Sequence, residues 1–245
     1  MCLFGAFHAN DFVSVRFYFV DAMKRDNQDF TPYAPLGYSE EEMLERSKEF
    51  LDYMKKRRSV RDFSDRSVSR EVLDNIIQAA STAPSGAHKQ PWTFGVISNA
   101  ELKHNIRELA EKEEFENYHG RMSETWLDDL KKFGTDHIKE FIDVAPYLII
   151  VFKQVYELDK AGERHTNYYV NESVGIAVGF LLAAIHHAGL VALTHTPSPM
   201  NFLEKALNRP GNERAYLLIP VGHSAEEAQV PVLKRKPLDE IMFIH

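Results

Sequence analysis

One segment constrains the fold more than any other. In 172-ESVGIAVGFLLAAIHHAG-189 apolar side chains recur around most of a helix, and Gly175, Ala177, Gly179, Ala183 and Ala184 leave room for close neighbours on more than one side. Such a helix must be covered by other parts of the chain, or by a second chain. The unbroken apolar run 147-YLIIVF-152 predicts a central strand buried on both faces. Segments 92-WTFGVIS-98, 190-LVALT-194 and 215-AYLLIPVG-222 read as further strands. Strands interleaved with helices predict an α+β architecture, a mixed central sheet covered by helices. The surplus of apolar helical surface predicts an interface as well as a core.

The remaining helices are marked by their caps and periodicity. Ser39 followed three positions later by Glu42 fits a capping box opening 39-SEEEMLERSKEFLDYMKKR-57. Ser69 is placed to cap 70-REVLDNIIQAAS-81, where Val72, Leu73, Ile76, Ile77 and Ala80 recur at helical spacing. Residues 100–118 predict a long charged helix, residues 124–142 another, and residues 200–208 a short one. Residues 156–167 are polar, contain Gly162 and read as a surface loop. Residues 21–40 carry Pro32, Pro35 and Gly37 and read as an extended arm. The first 31 residues form an N-terminal extension, and residues 32–245 are taken as one domain.

Composition excludes several classes. Of 245 residues, 44% are hydrophobic, enough for a substantial core. The net charge of -7 argues against a nucleic-acid partner. Cys2 is the sole cysteine, so neither an internal disulfide nor a cysteine-built metal site is available, and no metal is expected. The reducing cytoplasm is the expected setting. No run reaches eighteen apolar residues, and residues 1–20 make a poor signal peptide because Asp11 and Arg16 interrupt them. No membrane anchor is therefore expected.

Four short segments carry chemistry. In 57-RRSVR-61, three arginines within five residues can clamp a phosphate by charge-assisted hydrogen bonds, although a solvated helix end has the same composition. In 83-APSGAHKQPW-92, Pro84 and Gly86 force an irregular backbone able to present N–H groups to an anion or a heteroaromatic edge; an ordinary turn would look alike. The segment 194-THTPSP-199 follows a strand, where ligand-contacting loops often lie. The cluster 234-KRK-236 could fold back towards Arg57–Arg61. Neither GxGxxG nor GxxxxGK[ST] is present, so the usual dinucleotide and P-loop signatures are missing.

Together, 57-RRSVRDFS-64, 82-TAPSGAHKQPWTF-94, 113-EEFENYHGRM-122, 168-YYVNESVGIAVGFLLAAIHHAGLVALTHTP-197 and 219-IPVGHSAEEAQVPVLKRKP-237 resemble the nitroreductase-like flavoprotein superfamily. Within it the chain is most similar to the iodotyrosine deiodinase family, the reductive halotyrosine dehalogenases, in their soluble bacterial form. The resemblance runs from about Pro32 to Pro237. It implies FMN bound at the interface of an intertwined homodimer with swapped terminal extensions. It places Arg57, Arg58, Ser59, Arg61 and Arg235 near FMN, with Arg235 turned towards the phosphate. Pro84, Ser85 and Gly86 would line the flavin, and Thr194, His195 and Thr196 would approach its ring. Thr196 takes the catalytic role, donating a hydrogen bond to flavin N5 that favours one-electron steps. His88 departs from broad nitroreductases, many of which have asparagine there.

The same resemblance assigns a zwitterionic aromatic substrate to Ala87, Glu114, Tyr118 and Lys139. Glu114 would meet the ammonium, Lys139 the carboxylate, Tyr118 would cover the ligand, and the Ala87 N–H would reach the phenolate. Four-residue spacing puts Glu114 and Tyr118 on one helical face. Taken singly, each of the three side chains reads as a solvated charge or a packed aromatic. Residues 107–139 would form a substrate lid. The implied activity is reductive dehalogenation of 3-halotyrosines, with NAD(P)H or a partner reductase as electron donor. A broad NAD(P)H-dependent nitro or quinone reductase, a flavin-binding protein without activity, and a flavin-free helical interaction protein are the alternatives.

Overall fold

The computed structural model describes residues 23–25 and 28–245, so the readings made for residues 1–20 lie outside the described residues. The chain divides into two units, Met1–Phe50 and Leu51–His245.

In the first unit, β1 (Met23–Arg25) pairs antiparallel with β2 (Gln28–Phe30), so the arm is irregular only from residue 31. Helix α1 (Glu40–Lys55), whose residues from Leu51 belong to the second unit, starts at the expected capping box: Ser39 N–H donates to Glu42 Oε2 at 2.9 Å, and Glu42 N–H donates to Ser39 Oγ at 3.3 Å. Three glutamates in its first turn complement the helix dipole. No residue of α1 is buried, and Leu44 is 72% exposed although it lies on the apolar stripe.

The second unit is built on a four-stranded sheet. Its order is β3 (Trp92–Ile97), β4 (Tyr147–Gln154), β8 (Glu213–Gly222) and β7 (Val191–Ala192), every ladder antiparallel. The parallel element of the expected mixed sheet is an isolated bridge, Ser59 to Ala192. Strand β4 is central, and Leu148 to Phe152 are fully buried. The two-residue period of the strand divides them. Ile149 and Val151 face the cluster of α2 (Arg70–Ser81) and α6 (Val170–His187). Leu148, Ile150 and Phe152 face α3 (Ala100–Glu116), α5 (Phe141–Val144) and α7 (Asn201–Ala206). Ser69 caps α2 through the Val72 N–H as expected, and Asn99 caps α3 through Leu102. Helix α6 is long and apolar enough to cross a membrane by length and composition alone. Val174, Ala177, Val178, Leu181 and Ile185 instead pack it into the core, while Ile176 and Phe180 remain exposed.

Three expectations change. The helix read over 100–118 leaves α geometry at Glu116 and continues as a π-helical turn, Asn117–Arg121. The helix read over 124–142 breaks into α4 (Glu124–Lys131), a turn through Gly134 at φ +57°, and α5. The loop read over 156–167 is a hairpin of β5 (Tyr156–Leu158) and β6 (Arg164–Thr166). Asp159 organises its tip: Oδ1 accepts the Ala161 and Glu163 N–H groups, and Oδ2 lies 3.0 Å from His165 Nε2.

Candidate active site

The Ser59–Ala192 bridge and the Val60 N–H, which donates to Ala192 O, lay the arginine segment along the sheet edge. The chain continuing from β7 runs beside it and is tied back to β8 through reciprocal hydrogen bonds between His195 and Leu218. Two adjoining cavities result.

The larger cavity, about 420 Å³, is lined by Arg57, Arg58, Ser59, Arg61, Thr194, Lys234 and Arg235, among others. Arg235 donates from Nη1 to Lys55 O and from Nη2 to Arg57 O, both at 3.2 Å, which realises the fold-back of the 234–236 cluster that the sequence had left open. Arg58 donates to Pro231 O. Burial lowers the pKa of Arg57, and the neighbouring Arg235 and Arg58 lower it further. Among the described residues none of these cations has a carboxylate in ion-pair contact. Arg57, Arg58 and Arg235 repel one another and lack an ion-paired carboxylate, a set that suits a phosphate ester, which would neutralise them.

The smaller cavity, about 170 Å³, brings together Glu114, Tyr118, Lys139, His195 and Thr196. Glu114 Oε2 lies 3.5 Å from Lys139 Nζ, with side-chain exposures of 8% and 3%. Lys139 Nζ also donates to Thr135 Oγ1 at 3.3 Å and to Asp136 O. Burial raises the pKa of Glu114 and lowers that of Lys139, each opposed by its partner's charge. Tyr118 Oη donates to Thr135 O at 3.2 Å, and its ring lies 5.5 Å from Lys139 Nζ. His195 is held neutral, its pKa lowered to about 3 by burial and then by Lys139 and Arg61. Its Nε2 is buried without a hydrogen-bond partner, and the ring meets Phe141 edge-on at 5.6 Å. Arg61, Leu193 and Thr194 line both cavities.

Pro84, Ser85, Gly86 and Ala87 line neither cavity of this chain. Their turn is nonetheless specialised. Ala87, His88 and Gln90 all take positive φ, at 49°, 55° and 47°, which costs non-glycine residues energy. Ser85 Oγ accepts the Gln90 N–H at 2.9 Å, and the Gly86 N–H donates to Ser173 Oγ at 3.3 Å. A Cβ on Gly86 would stand 3.0 Å from Tyr168 O, a tight contact that would push the backbone before α6 aside by a few tenths of an ångström. The Ala87 N–H has no acceptor among the described residues.

Residues 54–223 match the model of the nitroreductase family. The chain belongs to the nitroreductase family. Within this family it is 59% identical over 216 residues to iodotyrosine deiodinase of Haliscomenobacter hydrossis, covering 88% of this chain and 97% of that protein. It is 49% identical over 218 residues to iodotyrosine deiodinase 1 of Homo sapiens, covering 89% and 75%. A solved oxidized iodotyrosine deiodinase bound to FMN and 3-iodo-L-tyrosine superimposes with a TM-score of 0.68 at 30% identity, covering 79% of this chain and 99% of that one. The nitroreductase fold, with its central sheet and flanking helices, is thus common to sequence and structure.

Several residues of the candidate site were not singled out from the sequence. Phe133 reaches the phosphate-suited cavity from the turn after α4, its ring 5.9 Å from the Arg61 guanidinium. Met122, Trp126 and Leu130 wall the smaller cavity. Buried Asn117 donates from Nδ2 to Ser198 O at 2.9 Å and ties the π-helical turn to the chain after Thr196. Asn117 stands three residues after Glu114, a spacing that shares a helical face and offered the one available clue.

Proposed function

We propose that this chain is an FMN-dependent reductive dehalogenase of 3-halotyrosines. The observation that carries the reading is the buried Glu114–Lys139 pair beside Tyr118, in a cavity sharing a wall with the cationic one. A ligand carrying both an ammonium and a carboxylate exchanges that single pair for two, one with each side chain. Few other ligands repay the separation of a buried pair. The iodotyrosine deiodinase relatives support the same substrate class.

In this reading Arg57, Arg58, Ser59, Arg61 and Arg235 hold the FMN phosphate, and Thr194, His195 and Thr196 adjoin the ring. Bound FMN supplies the electrons for the reaction. In sum, a halotyrosine, two electrons and one proton give tyrosine and halide: the carbon–halogen bond breaks, and the ring carbon takes the proton. NAD(P)H or a partner reductase returns the electrons. Thr196 is the catalytic residue, its hydroxyl donating to the flavin. Lys139 holds the substrate carboxylate, Glu114 its ammonium, and Tyr118 covers it. Residues 107–139 act as the lid that excludes water.

A second copy of the chain completes the site. The Pro84–Ala87 turn lines neither cavity of its own chain, yet it has a free N–H at Ala87 and a strained backbone suited to ligand contact. Exposed apolar side chains on α1 and on α6 offer the surfaces a homodimer would cover. Pro84, Ser85 and Gly86 then face the flavin across the interface, and Ala87 faces the phenolate. A reducing cytoplasm suits this chemistry and the single cysteine.

The test is anaerobic. FMN-loaded protein is reduced with dithionite, freed of excess reductant, and mixed in turn with iodo-, bromo- and chlorotyrosine. Flavin reoxidation with stoichiometric tyrosine and halide is expected. Reoxidation by a nitroaromatic but by none of the halotyrosines would overturn the reading in favour of a broad nitroreductase.

A further inference from the structure

Lys139 stands in an irregular segment between α4 and α5, yet its ammonium must be placed accurately to serve a carboxylate. A second carboxylate holds the backbone beneath it. Glu111 lies one turn before Glu114 on α3, three residues away and on the same face. Its Oε1 accepts the Lys139 N–H at 2.7 Å. The same oxygen takes a hydrogen bond from Arg107 Nε at 2.7 Å. Arg107 continues to α5, where Nη1 donates to Asp143 Oδ2 at 2.9 Å, and His104 Nδ1 lies 3.0 Å from that same oxygen.

Positions 104, 107, 111 and 114 therefore form one stripe along α3, spaced three, four and three. The first three fasten the helix to the segment 139–143, and the fourth meets the Lys139 ammonium. Arg107 and Glu111 are each 21% exposed at the side chain, so solvent screens their contact less than it would a surface pair. Connected charges of this kind also hold geometry better than an isolated pair. Glu111 lines neither cavity.

We propose that Glu111, braced by Arg107, is a positioning residue for zwitterion recognition: it fixes the backbone that carries Lys139 without touching the ligand. The proposal rests on the halotyrosine reading above. Glutamine at 111 keeps an oxygen for the Lys139 N–H and loses only the charge shared with Arg107. Alanine loses both. The two substitutions thus separate placement from charge.

FMN-loaded wild type, Glu111→Ala and Glu111→Gln are titrated by flavin fluorescence with 3-iodotyrosine and with 2-iodophenol, which has no zwitterion. Hydrogen–deuterium exchange of the peptide spanning 135–142 is followed in each ligand-free protein. Glu111→Ala is expected to weaken 3-iodotyrosine about tenfold and 2-iodophenol less than about twofold, and to speed exchange at the Lys139 amide. Glu111→Gln should stay within about threefold of wild type for both ligands. Arg107→Ala, which removes the brace, should follow Glu111→Ala in direction and serves where that variant does not fold. Equal weakening of both ligands, or Glu111→Gln as impaired as Glu111→Ala, would overturn the positioning role. Unchanged exchange at Lys139 in Glu111→Ala overturns the clasp even where wild type binds 3-iodotyrosine. Wild type that ignores 3-iodotyrosine overturns the functional reading, and ligand positioning falls with it.

Discussion

Glu114 Oε2 and Lys139 Nζ lie 3.5 Å apart, both nearly sealed from solvent. Burial pushes each towards its neutral form, and the partner's charge is the main influence that resists. Removing one member leaves the other without its counter-charge. Glu114→Gln should therefore weaken 3-iodotyrosine about 100-fold, but 2-iodophenol less than about threefold. Fluorescence titration of both ligands checks this, and equal losses would reject the ammonium contact.

Thr196 lines the smaller cavity beside neutral His195. Thr196→Ala should retain FMN in full. Halide release should fall about 100-fold, the scale of losing one donor to a reacting centre, while nitroaromatic reduction persists. Single-turnover assays on reduced protein measure both activities, and a parallel loss of the two would remove the special role.

Burial, and then the neighbouring Arg235 and Arg58, lower the pKa of half-buried Arg57, so an anion should bind strongly there. Arg57→Ala should raise the FMN dissociation constant about 100-fold and leave riboflavin within about threefold. Equilibrium dialysis of both flavins distinguishes a phosphate contact from general damage.

His195 gives stability a defined pH dependence. Its pKa falls from 6.5 to about 3 on folding, chiefly through burial. Below pH 6.5 the unfolded chain takes up a proton that the folded protein refuses until about pH 3. Stability is thus lost as pH falls through that window. Between pH 6.5 and 5 the wild type should lose roughly 2 kcal/mol more than His195→Gln. Urea denaturation at the two pH values measures the difference, and identical losses would show that His195 does not control it.

Phe180 is 43% exposed on α6, beside the equally exposed Ile176. In a homodimer covering this face, Phe180→Glu should shift the protein to monomer in sedimentation analysis and release FMN. A dimer that persists with bound flavin would move the interface elsewhere.

What the sequence revealed depended on the range of each interaction. Ser39, Ser69 and the run Leu148–Phe152 declared caps and a central strand because hydrogen bonding and periodicity there are local. The break between α4 and α5 was hidden, since residues 124–142 keep helical composition while Gly134 turns the chain. The hairpin at 156–167 was hidden because its polar strands bury no alternating face. Glu114, Tyr118 and Lys139 became a set only through family resemblance, because a turn of unpredictable path separates Lys139 from α3. Phe133 gave no warning for the same reason: it enters the site through a reversal that local pattern does not encode.

Arg61, Leu193 and Thr194 belong to both cavities, so a change at any of the three reshapes both. If the two hold different ligands, their dissociation constants are coupled, and each must alter the other by the same factor. Affinities along a series of substrate analogues would then vary with flavin content. A preparation only partly loaded with flavin would register as a change in substrate preference.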